Sequence, residues 1–145
     1  MRDDDHRLTA PEPLQLGDEQ VAGLVEVDAG SGDPGYRQRL RAAFYGDVDP
    51  VRADAAIALL TPDAPRGIAL GATTLTPDGW GSVPRTYVRC TRDMIIRPAL
   101  QQKFIADADA AFPGNPTLVH TLDASHSPFL SMPGQVADIA LKLIG

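Results

Sequence analysis

Two side chains with complementary acid–base chemistry, Asp93 and His126, each come just after a run of β-forming residues. Asp93 follows the run Thr86–Cys90, and His126 follows the run Thr117–Leu122. Loops after neighbouring parallel strands meet at one edge of a sheet, where ligands bind and catalytic side chains are mounted. A carboxylate beside an imidazole fixes the ring tautomer and stabilises the imidazolium formed on proton transfer. The spacing therefore predicts that Asp93 and His126 are neighbours in space and act as an acid–base pair.

Other residues near these loops have simpler interpretations. His120 is a rival for His126, but it lies in the middle of a predicted strand, which favours a hydrogen-bonded structural histidine. Cys90 could act as a nucleophile, although a cysteine inside a strand is more often buried and inert. Trp80 could line a pocket, and its large apolar area favours a place in the core. An isolated aspartate after a strand, such as Asp93 alone, is commonly a turn former.

The elements that must position the pair form a predicted βαβ-α unit. The first strand ends at Cys90, a helix runs from Pro98 to about Ala111, and a second strand covers residues 117–122. Pro133 begins the last helix. The predicted buried faces of the two helices are Leu100, Phe104, Ala108 and Ala111 in the first, and Val136, Ile139, Ala140 and Leu143 in the second.

The N-terminal part predicts a small helical unit. Asp33-Pro34 and Asp49-Pro50 are helix starts, with aspartate as the cap and proline in the first turn. Tyr36, Leu40 and Phe44 share one face of the first helix. The arginines off that face predict a solvated surface rather than a phosphate site, and they are Arg37, Arg39 and Arg41. A short strand near residues 24–27 and an extended segment over residues 67–77 complete this part.

Two motifs carry a resemblance to a known family. TYVRCTRD (residues 86–93) and DASHSPFLSMP (residues 123–133) resemble the C-terminal part of the α/β-hydrolase superfamily, in the branch of small esterases that includes methylesterases and hydroxynitrile lyases. The resemblance covers residues 80–144 and, more loosely, the sequence from Tyr36. It implies a partial α/β-hydrolase fold, with a lid-like segment, tail and connector at 1–79 and a core portion at 80–145. It also implies that Asp93 is the triad acid, that His126 is the base, and that the substrate is a small ester or a cyanohydrin.

The sequence departs from this family in one respect. Such hydrolases place the nucleophile serine in a Gly-x-Ser-x-Gly turn before the acid and the histidine, and the sequence has no such string. Ser31, in GSGDPG, lacks the spacing and reads as a loop residue. We therefore expect the N-terminal half of the fold to be absent and this chain alone to be inactive. The alternative is a non-catalytic fragment or binding module that pairs with an N-terminal chain, or with itself, through an exposed sheet edge.

Composition and charge limit the classes of partner, the cellular location and the cofactors that we expect. The 145 residues are 43% hydrophobic, enough for one core, and 19 acidic against 13 basic residues give a net charge of −6. This balance argues against nucleic-acid or anionic-membrane partners. The start MRDDDHRLT has no apolar stretch of the signal-peptide kind, and a single cysteine is compatible with a reducing compartment, so we expect the cytoplasm. No cofactor or metal is predicted, since His6 beside Asp3, Asp4 and Asp5 is typical of a solvated turn.

Overall fold

The computed structural model describes residues 28–60 and 74–144. The described residues fall into two units, one that includes residues 28 and 74–83, the other formed by residues 29–60 and 84–144. The helical residues 29–60 group with the C-terminal part. The division into a lid-like segment at 1–79 and a core portion at 80–145 stays a prediction. His6, the strand predicted near residues 24–27 and most of the segment 67–77 lie outside the described residues.

The described part of the first unit contains one turn of 3-10 helix, Trp80–Ser82. The hydroxyl of Ser82 donates to the carbonyl oxygens of Asp78 at 3.0 Å and Gly79 at 2.9 Å, so the turn is held by local hydrogen bonds. Trp80 is 40% exposed. Its predicted place as a core residue is therefore wrong.

The second unit is built on two parallel strands, β1 (Thr86–Cys90) and β2 (Leu118–Leu122). Thr86 pairs with Leu118 at one end, and Cys90 pairs with Leu122 at the other. The helix between the strands makes this a βαβ unit, as predicted. Because the strands are in register, the two loops that follow them begin at the same level of the sheet.

The crossover helix buries a face that matches the predicted one only in part. We number the helices in chain order, α1 (Pro34–Tyr45), α2 (Pro50–Ile57), α3 (Pro98–Ala111), α4 (Pro128–Ser131) and α5 (Pro133–Ile144). The buried residues of α3 are Gln101 and Ile105. Phe104 of the predicted face is 42% exposed, and its other members are half-buried, namely Leu100, Ala108 and Ala111. The apolar periodicity misplaced the centre of the face because a polar residue, Gln101, makes the contact with β1.

The core lies at the carboxyl ends of the strands. Cys90, Leu122 and Ala124 pack with Ile139 of α5, and Val136 lies partly buried against them. Burial of these apolar groups, rather than helix propensity, is what holds a helix of this length in place. The prediction is confirmed for Val136 and Ile139. It is wrong for Ala140 and Leu143, which are exposed one turn from the contact.

Helices α1 and α2 begin where the Asp-Pro signals predicted. The Asp33 carboxylate accepts the backbone N–H of Gly35 at 2.9 Å, and that of Asp49 accepts from Val51 at 3.1 Å. The predicted solvated arginine face is confirmed for Arg39, which is exposed and lies 3.9 Å from Asp33, whereas Arg37 and Arg41 are half-buried, with Arg41 3.5 Å from Asp54. None of the helices in the part described here combines the length and the apolar character that a membrane span needs.

Candidate acid–base site

The two loops after β1 and β2 remain hydrogen-bonded beyond the strands. The backbone N–H of Thr91 donates to the carbonyl of Leu122, and that of Arg92 donates to the carbonyl of Ala124, both at 3.0 Å. The next residues on each loop bring Asp93 and His126 together, with Nδ1 of the imidazole 3.0 Å from Oδ2 and 3.1 Å from Oδ1 of the carboxylate. The predicted proximity is confirmed.

Asp93 is held in one orientation by its own loop. Its Oδ1 accepts the backbone N–H groups of Ile95 at 2.8 Å and Ile96 at 2.9 Å. The residue is 7% exposed. A carboxylate that is buried and already bound at one oxygen has little freedom to turn, so Oδ2 is left facing His126.

His126 presents one nitrogen to Asp93 and rests against an aromatic ring. The imidazole lies 5.5 Å from the ring of Phe44, edge-on at 80°. The neutral tautomer that satisfies the carboxylate carries its proton on Nδ1, which donates to Asp93. Proton exchange with another molecule then falls to Nε2. The side chain is 27% exposed, so the pair is only partly shielded from solvent.

Gln101 supports the loop that carries Asp93, and the sequence did not single it out. Its Oε1 accepts the backbone N–H of Cys90 at 2.9 Å, and its Nε2 donates to the carbonyls of Cys90 at 2.9 Å and Ile96 at 2.6 Å. The residue is 1% exposed. A helical glutamine thus fixes both ends of the segment between Cys90 and Ile96.

Asp47, between α1 and α2, is a second residue that the sequence did not single out. Its Oδ2 accepts the backbone N–H of Ser125 at 3.0 Å, and its Oδ1 accepts the hydroxyl of the same serine. Burial raises the pKa of Asp47, but the side-chain and backbone hydrogen bonds from Ser125 help to lower it by more, so the pKa lies below its ordinary value. The Arg92 guanidinium lies 3.5 Å from Oδ2.

The rival candidates have different surroundings from this pair. His120 occupies the middle of β2, opposite Val88, and within the described residues its Nε2 is buried without a hydrogen-bond partner. Its mid-strand position is as predicted, but it is not the hydrogen-bonded histidine that was expected. Burial, followed by the charges of Asp93 and Asp47, raises the pKa of Cys90, which disfavours the thiolate. The Ser31 hydroxyl accepts the backbone N–H of Asp33 at 3.3 Å, a turn contact.

Two further features bear on ligand binding. An open cleft of about 310 Å³ lies between α1 and α2, lined by residues that include Arg41, Tyr45 and Ala53. Neither member of the acid–base pair lines it.

Among residues 28–60 and 74–144, no cluster of three or more His, Cys, Asp or Glu side chains is placed to hold a metal ion.

Comparison with known proteins gives consistent matches. A model of the alpha/beta hydrolase family matches residues 4–139. The chain is 35% identical over 78 residues to the probable hydrolase R7 of Phoma sp., a match that covers 52% of this chain and 32% of that protein. It is 31% identical over 127 residues to a pyrethroid hydrolase of Sphingobium wenxiniae, a match that covers 79% of this chain and 40% of that protein. Methylesterase 9 of Arabidopsis thaliana is 32% identical over 73 residues, a match that covers 50% of this chain and 27% of that protein.

A solved structure shows the same fold. The crystal structure of polyneuridine aldehyde esterase superposes with a TM-score of 0.62 at 20% identity, covering 75% of this chain and 41% of that one. At this identity the likeness concerns the fold alone. The chain spans between 27% and 40% of the length of these curated relatives.

Proposed function

Because this chain belongs to the alpha/beta hydrolase family and has its fold, we propose that Asp93 and His126 are the triad acid and base of a serine hydrolase that acts on small esters. The relatives support the esterase-like branch that the two motifs predicted. The observation that carries the proposal is the 3.0 Å contact between Nδ1 of His126 and Oδ2 of Asp93. The fixed orientation of the carboxylate supports it.

In this proposal His126 moves one proton twice. Nε2 takes the proton of the serine hydroxyl as that oxygen bonds to the ester carbonyl carbon, and it returns the proton to the alkoxide as the ester C–O bond breaks. In the second half of the reaction, Nε2 takes a proton from water as the water oxygen attacks the acyl carbonyl carbon. Nε2 then returns this proton to the serine oxygen as the bond between that oxygen and the acyl group breaks. Asp93 holds the Nδ1 proton throughout and stabilises the imidazolium by its charge.

We propose that the serine, and part of the oxyanion hole, come from protein outside these residues. The sequence has no Gly-x-Ser-x-Gly string. The relatives that match are between about two and four times longer than the matched region, which supports this assignment. On this view the chain by itself does not turn over esters.

Two alternatives involve the same residues. Cyanohydrin cleavage would employ His126 as a base without an acyl intermediate. A role as a non-catalytic fragment or complementing module would leave the pair without a nucleophile. Both stay predictions, as does the cytoplasmic location, and the ester hydrolase is the function that the acid–base geometry supports best.

A chimera tests the proposal. The N-terminal part of the pyrethroid hydrolase, up to the start of the 127 matched residues, is fused to this chain, and hydrolysis of an activated acetate ester is measured. We expect turnover by the chimera and none by the chain alone. We expect His126→Ala to lower kcat in the chimera by about 10²- to 10⁴-fold, the usual contribution of a general acid–base group.

His120→Ala is the matched control, because this second histidine lies in β2 away from Asp93. We expect it to leave kcat within about two-fold, since it takes no part in the proton transfers. A chimera that loses activity in His120→Ala but keeps it in His126→Ala would contradict the proposal. Turnover by the chain alone that disappears in His126→Ala would show that the nucleophile lies within these residues.

A further inference from the structure

One buried carboxylate contacts both loops of the acid–base pair. Asp47 binds Ser125, the residue before His126, through its backbone N–H at 3.0 Å and its hydroxyl. The same carboxylate lies 3.5 Å from the guanidinium of Arg92, the residue before Asp93. We call the contacts of Asp47 with Ser125 and Arg92 the Asp47 bridge. The bridge therefore joins the two residues that immediately precede the pair.

The end of α1 lies against the histidine loop. A Cβ atom placed on Gly46 would lie 3.7 Å from the Cβ atom of Ser125, an ordinary van der Waals distance. It would lie 2.9 Å from the carbonyl oxygen of Ala42, so glycine at this position avoids a clash with α1 itself. Phe44, two residues earlier, contacts the imidazole of His126 itself. The end of α1 therefore reaches both the ring of His126 and the backbone beside it.

Local structure does not require Asp47 to be there. The cap of α2 is supplied by Asp49, whose carboxylate accepts the N–H groups of Val51 at 3.1 Å and Arg52 at 3.2 Å. Asp47 instead reaches Ser125 across a sequence distance of 78 residues. Only 7% of its side chain is exposed, so the carboxylate is withdrawn from water and its hydrogen bonds are correspondingly stronger.

The arginine of the bridge is held from its other side. Arg92 lies against Asp123, with Nη2 donating to the backbone carbonyl at 2.6 Å and Nε 3.2 Å from the carboxylate. Asp123 is 78% exposed at its side chain, so this outer contact is in solvent and is expected to contribute little. Asp47 is the buried partner of the same arginine.

We propose that Asp47 is a positioning residue for the pair, which keeps Nδ1 of His126 within hydrogen-bond distance of Asp93 by fixing both loops. This inference rests on the proposed function, because the pair it positions is the proposed acid and base. Asp47 itself does not touch the reacting atoms. Its role is to restrict the imidazole to the orientation in which Nδ1 is bound and Nε2 is free to exchange a proton.

The test reads the tautomer of His126 directly. Nitrogen-15 NMR of the imidazole in the full chain at pH 8 distinguishes a proton on Nδ1 from one on Nε2. In the unaltered chain we expect His126 to carry its proton on Nδ1. In Asp47→Asn, which keeps the size of the side chain but loses the charge, we expect the ratio of the Nε2–H to the Nδ1–H tautomer to rise about five-fold, the effect of losing one hydrogen bond of ordinary strength.

Two further variants make the result specific. Ser125→Ala removes only the hydroxyl half of the contact, and we expect a rise in the same direction that is smaller than for Asp47→Asn. Asp123→Asn is the matched control, since it changes the exposed carboxylate on Arg92 and leaves Ser125 untouched. We expect no change in the tautomer ratio for the control.

The outcomes separate this inference from the proposed function. An unaltered chain with the proton on Nε2 would contradict the acid–base pair, and the positioning role with it. An unaltered chain with the proton on Nδ1, and the same ratio in Asp47→Asn and Ser125→Ala, would overturn the positioning role alone. Loss of the folded state in Asp47→Asn, with Asp123→Asn folded, would also overturn it, because Asp47 would then stabilise the unit as a whole.

Discussion

At the scale of single residues, two buried polar side chains support the acid–base pair. Gln101 binds the loop that carries Asp93, and Asp47 binds the residue before His126. Asp93 and His126 follow β-forming runs, and parallel strands in register bring such positions together. Gln101 and Asp47 carry no such signal, because a glutamine on a helix and an aspartate in a loop are usually solvated. Only the tertiary contacts with Cys90 and Ser125 show that these two polar side chains are buried and bound.

Replacing Gln101 tests how the Asp93 loop is supported. In Gln101→Ala the backbone N–H and carbonyl of Cys90 and the carbonyl of Ile96 lose their hydrogen-bond partner in a buried place. We expect the free energy of unfolding to fall by about 2–4 kcal/mol, because unsatisfied buried polar groups are costly. Urea denaturation measures the change.

The neighbouring glutamine gives the control for this substitution. Gln102 is exposed and lies 3.5 Å from Arg89, a weak contact in solvent. We expect Gln102→Ala to change the free energy of unfolding by less than about 0.5 kcal/mol. Equal losses in the two variants would show that the buried hydrogen bonds of Gln101 have no special weight.

At the scale of elements, the starts of the helices and the order of strands and helices were predictable. The buried faces of the helices were predictable only in part. Proline and a capping aspartate define the starts of α1 and α2 by local chemistry, which the sequence displays directly. Which face of α3 turns inward depends on its partner strand. Gln101 is buried there by its bonds to β1, whereas Phe104 of the predicted face is 42% exposed.

The link between the helical segment and the histidine loop should depend on pH. The folded pKa of Asp47 is below its ordinary value, so its contribution to stability is present above about pH 4 and is lost as the pH falls through the folded value. We expect Asp47→Asn to lower the free energy of unfolding by about 1–3 kcal/mol at pH 7. We expect this difference from the unaltered chain to shrink as the pH falls below about 4.

Denaturation of both proteins at several pH values between about 7 and 3 checks this dependence. The difference between the two stability curves should stop shrinking once the pH is below the folded pKa. A difference that stays constant down to about pH 3, or that grows on acidification, would mean that the charge of Asp47 is not what the Ser125 contact stabilises.

At the scale of the whole molecule, the second unit presents more apolar surface than a two-stranded sheet can cover. Leu118 is 53% exposed, Val119 is 38% exposed and Phe104 of α3 is 42% exposed. In the relatives, the matched region is at most 40% of the protein. The family match and the esterase fold were predictable from two short motifs. The pairing register of β1 and β2 and the exposure of these apolar residues became visible only in the structure.

We expect this chain alone to self-associate through the sheet. Exposed apolar side chains on a sheet favour pairing with a second copy. Sedimentation velocity over a range of concentrations should show association. We expect the double variant Leu118→Thr, Val119→Thr to weaken association about ten-fold, because threonine keeps the strand preference and removes apolar area.

Leu59→Thr is the control, since Leu59 is 84% exposed and follows α2 rather than a strand. We expect association to be unchanged in this variant. A chain that stays monomeric at every concentration would contradict the prediction, as would equal weakening by the two sets of substitutions.

The most direct test of the central claim is the tautomer of His126 in Asp93→Asn. Oδ1 of Asp93 accepts two backbone N–H groups, so the side-chain oxygen of the introduced asparagine should stay with those donors and its amide nitrogen should face the imidazole. Nδ1 of His126 must then accept, and the proton must move to Nε2. Nitrogen-15 NMR should show the proton on Nδ1 in the unaltered chain and on Nε2 in Asp93→Asn. The same tautomer in both proteins would contradict the account.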